Sequence, residues 1–231
     1  MRADLSEYPV AQGTATPFLA GVYGWMAVGL GVTAAVAFGV ASTPAVVAVL
    51  ATHPALLWGL FLTQLILVVI LSRRVSALSP TTAGGLFILY AALTGVTFSL
   101  LLLEFTDASV AAAFVAAASM FGAMAVVGLV TRTDLSRFGS FLAMALVGLV
   151  LSSVAGIFWR SSALQFGISV AGVVIFTGLT AWDSQRLSAM AREIPPERQA
   201  AFAVVGALTL YLDFVNLFIS LLTLFGRRRD D

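Results

Sequence analysis

Seven long apolar segments, separated by short polar links, make up most of this chain. A helix needs about 20 residues to cross a hydrocarbon core about 30 Å thick, and each segment is close to that length or longer. They run at residues 18–40, 55–72, 85–103, 109–130, 138–159, 164–182 and 199–226. The pattern predicts an all-α membrane protein, a seven-transmembrane-helix bundle. Residues 1–17 are predicted to form a polar N-terminal tail, and residues 18–231 a single transmembrane domain.

An aspartate, Asp213, lies near the middle of the last apolar segment. A carboxylate at that depth costs roughly 2.5–3.5 kcal/mol on insertion scales, so it indicates a functional site. Thr209, Asn216 and Ser220 fall on the same helical face at steps of three and four. A face this polar is expected to look into protein or water. The last helix is therefore predicted to be central, with these three residues lining an ion pathway.

The arginines lie in the links and predict the orientation of the bundle. With the N-terminus inside, one outer link holds Arg160, and the inner links hold Arg2, Arg73, Arg74, Arg132, Arg137, Arg186, Arg192 and Arg198. A seventh crossing then places residues 227–229, all arginine, outside, whereas a re-entrant last helix would keep them inside. Seven crossings are predicted because the segment is long enough to span.

Composition narrows the possible chemistry. The chain is 60% hydrophobic and 10% charged, with a mean hydropathy of +1.03, which indicates a multi-pass membrane protein. The cell's inner (plasma) membrane is its expected location. It has no cysteine and no lysine, which excludes disulfides, thiolate metal sites, Walker-type phosphate loops and Schiff-base chemistry. The single histidine, His53, is interpreted as a loop residue. No metal site, cofactor, removable signal peptide or nucleic-acid partner is expected.

A second aspartate, Asp183, closes the sixth segment. A modest loop joins the sixth and seventh segments, so they are expected to be antiparallel neighbours, with Asp183 and Asp213 meeting in the inner half of the membrane. Two carboxylates about 4 Å apart repel by about 4 kcal/mol at an effective dielectric constant near 20. The pair is thus expected to share a proton that closes the inner mouth. Loss of that proton would favour opening or cation binding.

Two sequence runs carry a resemblance to a known family. They are Thr-Ala-Trp-Asp-Ser-Gln at 180–185 and Leu-Tyr-Leu-Asp-Phe-Val-Asn-Leu-Phe at 210–218. Together they resemble the Bax inhibitor-1 family of membrane proteins, and the chain looks like a bacterial member. The likeness extends over nearly the whole chain in segment number and order.

The resemblance implies a seven-helix bundle around the last helix that acts as a pH-sensitive calcium leak. It implies that Asp183 and Asp213 sense protons, and that Arg73 or Arg74 takes part in closure. Some relatives carry an acidic residue earlier in the second helix, and the nearest candidate in this chain is the uncharged Gln64. Lipid, calcium and protons are thus the expected partners, and calcium as the transported ion rests on the resemblance.

Two other functions stay open. Presenilin-like proteases also use paired intramembrane aspartates, but their Gly-x-Gly-Asp motif is absent at Asp213, so we predict that the protein is not an enzyme. A non-transporting regulator could instead bind a membrane-protein partner, such as a protease. Small-residue spacing that would suit such packing occurs at Ala112, Ala113, Ala116 and Ala117.

Overall fold

The computed structural model describes residues 15–159 and 161–229, which are almost entirely helical. The helices are α1 Ala15–Ala41, α2 Pro44–Thr52, α3 Pro54–Arg74, α4 Pro80–Glu104, α5 Asp107–Val130, α6 Ser136–Phe158, α7 Ser162–Met190 and α8 Pro196–Phe225, with a 3₁₀ turn at Val75–Ala77. All except α2 are long and apolar enough to cross a membrane, which confirms the seven predicted spans. The predicted tail at 1–17 overlaps α1 by three residues, and residues 1–14 lie outside the described part.

The link between the first two spans is more structured than the sequence pattern indicated. It contains α2, nine residues long, which begins at Pro44 and leaves Val46 and Val49 exposed. Proline suits a first helical turn because it lacks only an N–H that would be unpaired there. His53 lies at the joint between α2 and α3, where its Nδ1 is 2.9 Å from the hydroxyl of Thr52. His53 is therefore an exposed loop residue, as predicted.

The sixth span extends further than the sequence pattern predicts. The sequence pattern predicts its end at Trp182, with a loop before residue 199, but α7 continues to Met190 and α8 begins at Pro196. The helix continues because its polar residues find partners inside the protein. Both Asp183 and Ser184 are buried there. The two aspartates consequently lie within helices and away from the helix ends.

The last helix has the largest buried share of the seven spans. In its most apolar stretch of 18 residues, 67% of the residues are buried, whereas the same measure is at most 33% for each of the other spans. It packs against α1, α4, α5 and α7, whereas α3 and α6 leave most of their apolar side chains exposed. In a bilayer those exposed faces contact lipid. Helix α8 therefore has the surroundings of a helix enclosed by the bundle.

The chain's last described residues form a clasp, residues 226–229, at one end of the bundle. Arg228 pairs with Glu104 at 3.2 Å, and Arg229 pairs with Asp107 at 2.6 Å. A single antiparallel bridge joins Phe105 to Arg228. Helix α8 thus ends beside the α4–α5 link, at the opposite end from the α7–α8 link. We call the end with the α4–α5 link the outer end, following the arginine distribution.

Candidate functional site

The structure brings together the two aspartates that the sequence singled out. Asp183 lies on α7 and Asp213 near the middle of α8, and each is 5% exposed. Their carboxyl groups lie within hydrogen-bonding reach of each other. Because both carboxyls are charged acceptors when ionised, this contact is favourable only with a proton or a cation between them.

Two buried polar atoms near this contact have no hydrogen-bond partner among the described residues. They are Oδ2 of Asp213 and Oγ1 of Thr177. Leaving a buried polar group unpaired costs about 1–3 kcal/mol, and native structures contain few such groups. Thr177 lies on α7, about two turns from Asp183. The unpaired hydroxyl of Thr177 lies nearer the outer end of α7 than Asp183 does.

Two glycines hold the α7 backbone next to Asp183. A Cβ atom at Gly128 of α5 would overlap the carbonyl oxygen of Ala181, and one at Gly139 of α6 would overlap the indole ring of Trp182. Only glycine allows approaches this close. Helices α5 and α6 thereby fix the two residues that precede Asp183 and limit where its carboxyl group can lie.

The two residues after Asp183 are held as well. The hydroxyls of Ser184 and Tyr23 on α1 are hydrogen-bonded at 3.1 Å. Gln185 accepts from the backbone N–H of Leu135 and donates to the carbonyl of Thr133, both at 2.9 Å. Gln185 therefore joins α7 to the α5–α6 link, and the run at 180–185 makes a separate contact at nearly every position.

Tyr23 is not among the residues predicted from the sequence. This residue is 161 positions from Ser184 along the chain, and nothing in the local pattern of α1 pairs it with α7. The available signal was a hydroxyl-bearing side chain in an apolar helix, flanked by Gly21 and Gly24. Helices α1 and α7 make few other contacts, so this hydrogen bond is their main polar connection.

The predicted gate partners lie apart from the pair. Arg73 and Arg74 are exposed in the last turn of α3, and among the described residues no ion pair joins either one to an aspartate. Arg186, one turn after Asp183, exerts an electrostatic attraction on that carboxylate. Its guanidinium also lies 5.4 Å from the centre of the Trp182 ring. A role for Arg73 or Arg74 in closure stays a prediction.

The residues expected to line a pathway share one half-buried face of α8. The side chains of Thr209, Asn216 and Ser220 each donate to the backbone carbonyl four residues earlier in the same helix. The donor groups are thus used within the helix. The side-chain oxygen of Asn216 keeps its lone pairs available to a cation.

A second polar cluster surrounds Gln64, the uncharged residue at the position where the resemblance led us to look for a third acidic one. The amide of Gln64 donates to Thr97 at 3.2 Å, and Thr94 donates to the Gln64 carbonyl at 3.4 Å. Further into the bundle, the hydroxyls of Thr33 and Tyr211 lie 2.6 Å apart. These contacts are between neutral groups, so they join α1, α3, α4 and α8 without adding a charge to the membrane interior.

Within residues 15–159 and 161–229, no three His, Asp or Glu side chains lie close enough together to hold a metal ion. A cation at the aspartates would have two carboxylates and nearby neutral oxygens as ligands. Calcium in high-affinity protein sites has six to eight oxygen ligands. Among the described residues, the aspartate pair therefore lacks the ligand set of a high-affinity calcium site.

Comparison with known proteins gives a consistent result. Residues 16–230 match the family described as "Inhibitor of apoptosis-promoting Bax1". The chain is 46% identical over 215 residues to the inner membrane protein YbhL of Escherichia coli, covering 92% of each chain. It is 45% identical over 214 residues to a protein of Deinococcus radiodurans, covering 92% of this chain and 91% of the relative. A membrane protein of Streptococcus pyogenes is 34% identical over 212 residues, covering 91% and 92%.

These matches cover nearly the whole chain at identities well above chance. They agree with seven apolar helices and with a multi-pass protein of the inner membrane. The match also includes both runs that first indicated the family, at 180–185 and 210–218. The chain therefore belongs to the Bax inhibitor-1 family.

Proposed function

We propose that this protein is a pH-sensitive cation leak in which the aspartate pair is the gate and calcium is the transported ion. The observation that supports this most is the buried contact between Asp183 and Asp213, with Oδ2 of Asp213 unpaired. Structural packing alone does not require two acids in contact inside a membrane.

The gate follows from the electrostatics of the pair. With one shared proton, the carboxyls hydrogen-bond to each other and hold α7 against α8, so the inner mouth is closed. When that proton leaves, two negative charges repel in a poorly solvated site. The repulsion either separates the helices or recruits a cation. Flux is therefore expected to be low in acid and to rise with pH.

The path beyond the gate uses neutral oxygens. Asn216 and Ser220 lie on the outer side of Asp213 along α8, and Ser220 packs closely on Gly172 of α7. Thr177 supplies an unpaired hydroxyl on the facing helix. Weak neutral ligands after a charged site allow an ion to leave as well as enter, which conduction requires.

The test is cation flux into proteoliposomes containing the purified protein, with Asp183→Asn and Asp213→Asn as variants. The matched control is Asp134→Asn, the same chemical change at an exposed residue outside the membrane. Asp134 accepts from the backbone N–H of Ser136 at 2.9 Å, and an asparagine there keeps this hydrogen bond. Loss of the pH response in the first two variants alone would support the gate.

The regulator alternative has less support in the packing. Ala113 and Ala117 of the small-residue run are buried inside the bundle and are not free for a partner. Ala112 is exposed and Ala116 is half-buried. The absence of flux at every pH, together with a stable co-purifying membrane protein, would favour the regulator.

The aspartyl protease remains the enzyme alternative, because a close carboxyl pair can also activate water. Cleavage of a transmembrane reporter that depends on both aspartates would favour the protease over the leak.

A further inference from the structure

A cavity of about 760 Å³ lies between α1, α4 and α8 at the inner end of the bundle. Its walls include Gly21 and Trp25 of α1, Gly84 and Gly85 of α4, and Ala203 of α8. Neither aspartate lines it, so it is separate from the gate. Its volume falls within the range of about 300–1,000 Å³ that is usual for ligand sites.

Two adjacent glycines of α4, Gly84 and Gly85, line this space. A Cβ at Gly84 would lie 2.8 Å from the ring of Trp25, so the indole covers that glycine. Phe87 supports the indole edge-on, with ring centres 6.4 Å apart. A Cβ at Gly85 would meet nothing within 4 Å. Gly85 is therefore at the opening.

The opening is continuous with the surface that faces lipid. Gly85 is exposed, and Leu89, one turn further along the same face of α4, is 46% exposed. Ile88 lines the cavity beside them. The walls are mainly apolar and the opening faces the hydrocarbon of the bilayer. A lipid acyl chain suits both the walls and the opening.

The rim of the cavity is polar. Thr81 lies in the first turn of α4 and Gln199 in the first turn of α8, and both line the cavity. Arg198, next to Gln199, is exposed. Helix N-termini and arginines both favour anionic groups. The head of a lipid in the cavity would therefore meet donors and positive charge.

The described part of the inner end carries a net positive charge. Its described acidic side chains outside the spans are Asp134, Glu193 and Glu197, against Arg73, Arg74, Arg132, Arg137, Arg186, Arg192 and Arg198. Basic surfaces beside a membrane attract anionic lipid headgroups.

We propose that this cavity binds an anionic phospholipid. One acyl chain lies against Trp25 and across Gly85, and the phosphate lies at Thr81, Gln199 and Arg198. The proposal does not depend on the cation leak, because the site and its ligand are distinct from the aspartates and their ions.

The experiment measures quenching of Trp25 fluorescence by lipids brominated on the acyl chain. Full-length protein is reconstituted in phosphatidylcholine vesicles containing increasing amounts of either brominated phosphatidylglycerol or brominated phosphatidylcholine. Subtracting the signal of a Trp25→Phe variant isolates Trp25 from the other three tryptophans. The proposal predicts that the apparent affinity is roughly fivefold higher for phosphatidylglycerol than for phosphatidylcholine. A difference of this size corresponds to the contribution of about one basic residue at the headgroup.

Three variants separate the parts of the site. Gly85→Leu fills the opening and should reduce quenching by both lipids. Gly122→Leu is the matched control, because Gly122 of α5 is also exposed with nothing within 4 Å of a Cβ, and it should leave quenching unchanged. Arg198→Gln should remove the roughly fivefold preference for phosphatidylglycerol while quenching continues. Circular dichroism confirms that each variant is folded.

Two outcomes would overturn the proposal. Equal quenching by the two lipids, insensitive to Gly85→Leu, would mean that Trp25 meets only ordinary annular lipid. Protection of Trp25 from both lipids would mean that something else fills the cavity, such as residues 1–14 of the chain.

Discussion

At the residue scale, the site is a contact between two acids whose neighbours leave them little freedom. Asp183 is held through its own helix by Ser184 and Gln185, and Asp213 is enclosed by the core around α8. The hydroxyl of Tyr23 links α1 to α7 through its hydrogen bond to Ser184. The proposed gate thus depends on a few hydrogen bonds, each of which one substitution removes.

Replacement of Tyr23 by phenylalanine should make the gate easier to open. The change removes the hydroxyl that bonds to Ser184 at 3.1 Å and leaves the rest of the ring in place. Loss of about 1 kcal/mol from the closed state corresponds to roughly a fivefold shift in the opening equilibrium. Proteoliposome flux at acid pH should therefore rise several-fold. Flux equal to that of the native protein at every pH would show that this bond is not part of closure.

Tyr211→Phe is the matched change at a hydroxyl whose hydrogen bond is to Thr33 and not to an aspartate. Thr33 donates to the carbonyl of Ala91, so its oxygen accepts from Tyr211 at 2.6 Å. Removing the Tyr211 hydroxyl leaves that oxygen without its donor and should lower stability by about 1 kcal/mol. Thermal unfolding in detergent measures this loss. An unchanged unfolding temperature would mean that the Thr33 contact adds nothing to stability.

The sequence predicted some of these contacts and not others for a physical reason. A short loop makes α7 and α8 neighbours, and two acids at similar depths on neighbouring helices can meet. The Asp183–Asp213 contact could therefore be predicted from the sequence. Ser184, the partner of Tyr23, and Tyr211, the hydroxyl partner of Thr33, lie more than 150 residues away. Those contacts depend on how α1 crosses the bundle, which a hydrophobic pattern does not specify.

At the element scale, close helix packing positions α7. Helices α5 and α6 approach it through Gly128 and Gly139, directly before Asp183. The seven spans could be predicted because an apolar stretch of about 20 residues has few other uses. The end of α7 could not, because polar residues usually mark a helix end. Here Ser184 and Gln185 have internal partners, and the helix continues.

Gly128→Ala should disrupt the packing of α5 on α7. The new methyl group would overlap the backbone of Ala181, which cannot move like a side-chain tip, so a loss of about 1–3 kcal/mol is expected. Thermal unfolding in detergent gives the measurement. Gly122→Ala on the same helix is the control, because its Cβ meets nothing within 4 Å. Equal effects of the two substitutions would contradict the close approach.

At the scale of the whole molecule, the clasp explains how the chain accommodates arginines at the outer end. Arg228 and Arg229 are paired with Glu104 and Asp107, so the tail carries less uncompensated charge than its sequence indicates. The positive-inside pattern and a seventh crossing are therefore compatible. Sequence analysis treated the tail charges alone, because their acidic partners lie more than 120 positions earlier in the chain.

Labelling of single cysteines tests this topology directly, since the native chain contains no cysteine. Arg227→Cys and Ala108→Cys lie at exposed outer positions, and Arg192→Cys lies at an exposed inner one. A membrane-impermeant maleimide added to intact spheroplasts should label the first two and reach the third only after permeabilisation. If Arg227→Cys were labelled only after permeabilisation, as Arg192→Cys should be, the tail would lie inside. That result would contradict seven crossings.

The most direct test of the central claim is calcium flux into proteoliposomes measured between about pH 5 and pH 8 for the native protein, Asp213→Asn and the control Asp134→Asn. An amide at 213 donates a hydrogen bond to Asp183 at every pH, so the gate should stay closed. We expect flux that rises with pH in the native protein and in Asp134→Asn, and low flux without pH dependence in Asp213→Asn. The same pH dependence in all three proteins, or no flux above that of protein-free vesicles, would contradict the aspartate gate.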